Sequence, residues 1–216
     1  MVNDNLHTLV ELLFDRFYSK GVAHQLGSVL STIETGSRPK GGAAGEGIPS
    51  IGAEKIEKFG VYDFSNEKYI SLEFFKKLKR GVVKSGDVLL YKDGAYTGKV
   101  SMVLEGFPHK ECAVNEHVFI LRTHASSFQS YLYFCLSKKE IREKIFALAS
   151  SKAAQPGLNQ NELSSIEINV PHSSDLEIFE ETARPFMVSI AKRSLENKIL
   201  SQLRDKLLPK LLSGKI

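Results

Sequence analysis

An α+β fold, one globular domain carrying a short N-terminal helix and a long C-terminal arm, is predicted by three features of the sequence. Apolar residues recur at helical spacing near both ends, short β-like runs punctuated by Gly, Pro and Asp fill the stretch between, and residues 175–212 contain no glycine. With 216 residues, 42% of them apolar, the chain can bury one ordinary core plus an appendage, which sets aside a disordered tail.

The elements follow in order. Over residues 1–21, Leu6, Leu9, Leu13 and Phe17 fall three and four apart and line one face of a short helix that Gly21 ends. Residues 22–172 begin with the runs GSVLSTIETG, IPSIGAEKI, SGDVLLYKDGAYTGKVSMVL and NEHVFILRT, which read as strands and turns. KDG at 92–94 separates the apolar runs Val88–Tyr91 and Val100–Leu104, so a β hairpin is expected, its tip bracketed by Gly94 and Gly98. Helical spacing returns over Ser127–Ser150, where Tyr131, Phe134, Cys135, Ile141, Ile145 and Leu148 alternate with Lys138, Lys139, Arg142 and Lys144.

Residues 173–216 form the arm, a helix on the order of 50 Å long if continuous from Asp175 to Leu208. Pro185 is expected to kink or restart it, because a mid-helix proline removes a hydrogen bond. A heptad seam places Phe179, Phe186, Leu200 and Leu207 at one position and Ile190 and Leu211 at the position four residues later, with polar Arg193 and Asn197 interrupting it. Such a stripe exceeds what the N-terminal helix can cover, so Phe179, Phe186, Ile190, Leu200, Leu203, Leu207 and Leu211 are predicted to meet a second chain. A helix folded back on its own domain is the alternative.

Chemistry is conspicuous mainly by exclusion. No stretch approaches eighteen consecutive apolar residues, and the N-terminus lacks the basic lead, apolar run and cleavage site of a signal peptide, so a soluble, cytoplasmic chain is expected. Two cysteines, Cys112 and Cys135, do not make a disulfide framework. GSRPKGGAAGEG lacks the GK[ST] ending of a phosphate-binding loop and reads as a flexible basic loop. No adjacent prolines exist for an amino-methyltransferase motif, and Glu196-Asn197-Lys198, the one nuclease-like match, lies in the arm. The spacing of His109, Cys112, His117, His124 and Cys135 does not reproduce a zinc site.

What remains is a basic, loop-bearing binding module. Net charge is −1 over residues 1–21, +3 over 22–172 and +2 over 173–216, and residues 76–99 alone set seven cations against two aspartates. Lys92, Tyr96, Thr97 and Lys99 at the hairpin tip are of types that contact nucleic acid, followed by Arg38, Lys40, Lys152 and Lys58. A solvated charged surface, or a helical scaffold that binds a protein without reading sequence, is the other interpretation of the same residues.

Four stretches in order resemble one family. LGSVLSTIETGSRPKGG followed by GIPSIGAEKI resembles the opening of a target recognition domain in the specificity subunits of type I restriction-modification enzymes. GDVLLYKDGAYTGKVSMV is similar to that domain's central hairpin, QPGLNQNELSSIEINVP to its closing segment, and LRDKLLPKLLSGKI to the end of the conserved helical region. The family typically has two recognition domains and two helical regions; this sequence has one of each, with TLVELLFDRFYSK similar to the short helix that follows a long one. The resemblance implies a non-catalytic subunit: residues 22–172 read one half of a split double-stranded DNA target, and the arm, 173–216, holds a homodimer together and binds modification subunits, which carry S-adenosylmethionine and through which a restriction subunit joins.

Overall fold

The computed structural model describes residues 2–125, 128–150 and 157–213. Helix α1, Val2–Tyr18, turns His7, Val10, Phe14 and Phe17 inward. This face is rotated from the expected one: Leu6 and Leu13 are only half-buried and Leu9 is exposed. The reason is aromatic volume. Phe14 packs with Tyr131, Phe134 and Phe179 at ring-centroid separations of 4.9, 5.7 and 6.1 Å, and His7 bonds the Tyr133 hydroxyl at 3.0 Å, so these side chains set the rotation.

Strand β1, Val22–Gln25, pairs antiparallel with the last strand, β9, Glu167–Val170, and so brings both ends of the domain together where α1 leaves and the arm begins. After one turn of helix, α2, Leu26–Val29, the chain enters a four-stranded antiparallel sheet of order β2-β8-β5-β6: Leu30–Thr35, Val118–Thr123, Val88–Tyr91 and Val100–Met102. A smaller sheet joins β4, Tyr69–Ile70, β3, Ile48–Ile51, and β7, Ala113–Val114, with β3 and β7 parallel.

Period-two alternation explains how the central sheet is covered on both faces. Val88, Leu90, Phe119 and Leu121 point into the larger core with the helices, while Leu89, Val118 and Ile120 point into a second core with Ile51 and Val114 from the smaller sheet and with Ile56 from the turn after β3. One buried ion network ties the sheet: Asp87 receives two bonds from Arg122, at 2.6 and 2.7 Å, and Arg122 also bonds Glu34 at 2.9 Å and the Val82 carbonyl at 3.0 Å. Burial pushes the Asp87 carboxyl up, against the pull of those bonds from Arg122.

The helical stretch expected over 127–150 is two helices. In α4, Gln129–Ser137, every residue from Gln129 to Leu136 is buried, whereas α5, Lys139–Ser150, buries only Ile141, Ile145 and Ala149. The break falls at Lys138, whose φ and ψ of −58° and 136° leave the helical region. A further short helix, α3, Leu72–Lys77, is capped by Ser71, and α6, Gln160–Ser164, by a reciprocal Asn159–Glu162 box.

The arm is one helix, α7, Ser173–Leu212, about 60 Å long at 1.5 Å per residue. Pro185 does not interrupt it, contrary to the expectation from sequence. The proline withholds a bond only from the Glu181 carbonyl on the exposed side, while Ala183, Met187 and Ile190 on either side of it are fully buried and hold the backbone in place.

Candidate nucleic-acid interface

The hairpin forms as expected, with Leu90 opposite Val100 and Tyr91 exchanging backbone bonds with Lys99 and Gly98 at 2.9 Å. Its tip closes on itself: the Thr97 amide and hydroxyl donate to the Gly94 carbonyl at 3.2 and 2.7 Å. Gly94 and Gly98 sit at φ of 106° and 95°, and a Cβ at Gly98 would stand 3.3 Å from Ile145 of α5, so glycine permits both the turn and the close approach.

This packing changes the standing of the tip residues. Thr97 is buried, so it serves the turn and is not displayed. Lys92 is mostly buried, pairs with Asp93 at 2.5 Å and lies 5.6 Å from the Phe119 ring. Lys99 is paired with Glu57 and lies 4.8 Å from the ring of Tyr96, the one tip residue among the four that is well exposed, at 63%. Lys58 bonds Asp4 at 2.9 Å and thereby ties the domain to α1. Lys152 lies outside the described residues.

Arg38 and Lys40 are exposed on the loop after β2. Arg38 pairs with Glu116 at 3.0 Å, and from there a chain of contacts crosses the end of the sheet: Glu116 to His117 at 3.4 Å, His117 to Asp93 at 3.1 Å, and Asp93 to Lys92. Glu116 turns Oε1 to both Arg38 and His117, and its buried Oε2 has no hydrogen-bond partner among the described residues. Sequence reasoning missed Glu116, His117 and Asp93. They are separated by up to 24 positions, and only the pairing of β5 with β8 brings them together.

The sulfur and imidazole groups disperse. Cys112 and Cys135 lie in different cores, burial pushing the first up to about 12 and the second well above its ordinary value. His109 bonds Glu67 at 2.6 Å, and His124 is exposed.

On the arm, two of the predicted partner-facing residues belong to the chain's own core: Phe179 and Ile190 are buried, Phe179 against Phe14, Phe17, Tyr131 and Phe134. Phe186 is half-buried. The amphipathic stripe is outward-facing along its whole length in the sequence reading because sequence alone does not show that α1 and α4 cover its first half. Beyond Ser194, the last buried position of α7, Leu200, Leu203, Leu207 and Leu211 are exposed, with 46–61% of their surface open.

The model of the type I restriction modification DNA specificity domain matches residues 26–203. The chain belongs to that family. Within 86 residues it is 35% identical to the type I restriction enzyme HindI specificity subunit of Haemophilus influenzae, a stretch that covers 40% of this chain and 19% of that protein. The specificity-domain fold extends along the chain: the type I restriction-modification S subunit from M. genitalium superposes with a TM-score of 0.59 at 14% identity, over 97% of this chain and 56% of that one. The HsdS subunit from Thermoanaerobacter tengcongensis gives 0.52 at 16%, over 99% and 52%. The chain therefore spans about half the length of these solved structures. Among the described residues, no helix is long and apolar enough to cross a membrane.

Proposed function

We propose that this chain is the DNA-specificity component of a type I restriction-modification assembly, itself non-catalytic, that reads one half of a split target. The observation that carries the reading is the match to the specificity domain over residues 26–203. Two copies related by a two-fold axis would supply the second half, with the exposed leucines of α7 as the joint, because an isologous contact uses one patch twice. The target would then be an inverted repeat whose spacer follows from the length of the paired arms.

In this reading, phosphate contacts set the register of the duplex and side chains at the sheet end read base edges. Modification subunits bind along the arms in the cytoplasm and bring S-adenosylmethionine and the methyl-transfer site; a restriction subunit joins through them. No donor binding is assigned to this chain. The test is methyl transfer from a labelled donor to DNA by modification subunits with and without the chain. Transfer should require both proteins and should be absent with either alone. Turnover by the pure chain, or chain-independent transfer at the same sites, would overturn the proposal.

A further inference from the structure

The recognition domain carries two groups of cations at one end of the four-stranded sheet, and the structure neutralises them unequally. The hairpin tip, the stronger of the two in sequence, has its lysines engaged by Asp93 and Glu57. The other group lies at the same sheet end, where β2 leaves at Thr35 and β8 enters at Val118, and meets the tip through Glu116, His117 and Asp93. This is the opposite end from Leu30, where the chain arrives from β1 and the arm junction.

Two glycines assemble it. A Cβ on Gly36 would lie 1.5 Å from the Val114 carbonyl oxygen, and one on Gly81, at φ 81°, would lie 2.5 Å from the Cα of Gly36. Backbone therefore packs directly on backbone, and Lys79 and Arg80 are set beside the loop that carries Arg38 and Lys40. All four cations are exposed, and Lys40, Lys79 and Arg80 form no ion pair among the described residues. Beyond Lys40, Gly41 and Gly42 stand in open space at φ of 96° and 91°, a backbone that a large ligand can approach closely.

Arg38 differs from its three neighbours. One guanidinium nitrogen is held by Glu116, whose carboxylate is braced in turn by His117, yet about half of the Arg38 side chain is open. A guanidinium tethered at one nitrogen keeps donors for a bidentate contact and loses less rotamer freedom in making it. Free cations on a bend behave differently: they contribute charge without direction, which is what phosphate contact requires.

We propose that this end of the sheet is the DNA-reading face, where Lys40, Lys79 and Arg80 hold the phosphate backbone and Arg38, positioned by Glu116, reads a base edge. The proposal rests on the DNA-specificity reading above and adds the face and the residues.

The full chain, purified with its modification subunits, is titrated with a short fluorescein-labelled duplex of random sequence between about 50 and 200 mM salt. Lys79→Ala with Arg80→Ala should lower the slope of log K against log salt by about 1.8, at about 0.9 for each phosphate no longer neutralised. Lys139→Ala with Lys144→Ala on α5, the face beside the hairpin tip, should leave it unchanged. Selection from a randomised duplex pool then reads specificity: Arg38→Ala and Arg38→Lys should both relax one base position by about 5- to 100-fold, and Glu116→Gln the same position to a smaller degree. A slope that falls for the α5 pair and not for Lys79 and Arg80, or an unchanged motif in both Arg38 variants, overturns the assignment of the face while wild-type selection stands. Wild-type protein that selects no sequence overturns the DNA-specificity reading itself.

Discussion

Leu200→Asp with Leu207→Asp tests the joint between two copies. Leu200 is 61% and Leu207 46% exposed in the single chain, so about half of each side chain remains to be covered. Full burial of a leucine contributes about 1.5–3 kcal/mol, and the open half about 1 kcal/mol. A two-fold pair of arms carries the two positions twice, about 4 kcal/mol together, and since about 1.4 kcal/mol is tenfold in affinity, the double variant should weaken dimerisation by about 10³-fold. Burying carboxylates in the seam adds to the loss. Both positions lie beyond Ser194, so the recognition domain should keep its fold and its circular dichroism spectrum. Sedimentation velocity at micromolar concentration should give twice the chain mass for wild type and the chain mass for the variant. A variant that still sediments as a dimer, or a wild type that never exceeds one chain, refutes the arm as the interface.

Three further outcomes follow from the interior. Arg122→Met leaves Asp87 buried without its cation and should cost about 3–5 kcal/mol, lowering Tm by about 10 °C; a melt within about 2 °C of wild type would remove the network's structural role. Lys99→Ala should change the salt slope of DNA binding by well under the value for one phosphate, because Glu57 already engages that ammonium; a drop near 0.9 would return the hairpin tip to the DNA face. His7 should make stability depend on pH. Burial pushes its imidazole below the ordinary 6.5 despite Glu11 beside it, so the unfolded chain takes up a proton that the folded chain refuses, and stability present above that pH is lost as pH falls below it. His7→Gln should flatten Tm against pH in that window relative to wild type, and parallel curves would show that His7 titrates alike in both states.

The legible parts of this fold are those written in short-range pattern. The hairpin is announced by KDG between two apolar runs, and the arm by forty residues without a glycine. The α+β class follows from those two textures and holds. What the sequence does not display is which apolar faces meet. The stripe on α7 reads the same on both sides of Ser194, but its first half closes the domain with α1 while its second half stays open. The rotation of α1 was hidden for a related reason: leucine spacing favoured one face, and the packing of Phe14 and the polar anchor of His7 chose another.

The candidate site was half legible. Residue type ranked the hairpin lysines ahead of Arg38 and Lys40, since charge in a sequence says little about what neutralises it. Lys92 is engaged by Asp93, its neighbour in sequence, and tertiary packing decided the rest by placing Glu57 beside Lys99. The juxtaposition of Gly36 with Gly81 spans 45 positions and has no local signature beyond two glycines.

The central claim is that one recognition domain, used twice, reads a symmetric split target. Single-molecule sequencing of methylated bases in cells expressing this chain with its modification subunits tests it most directly. One new motif should appear, made of two identical half-sites in inverted orientation, separated by a fixed unread spacer, and modified on both strands. A motif with two different halves, or one continuous asymmetric sequence, would contradict it.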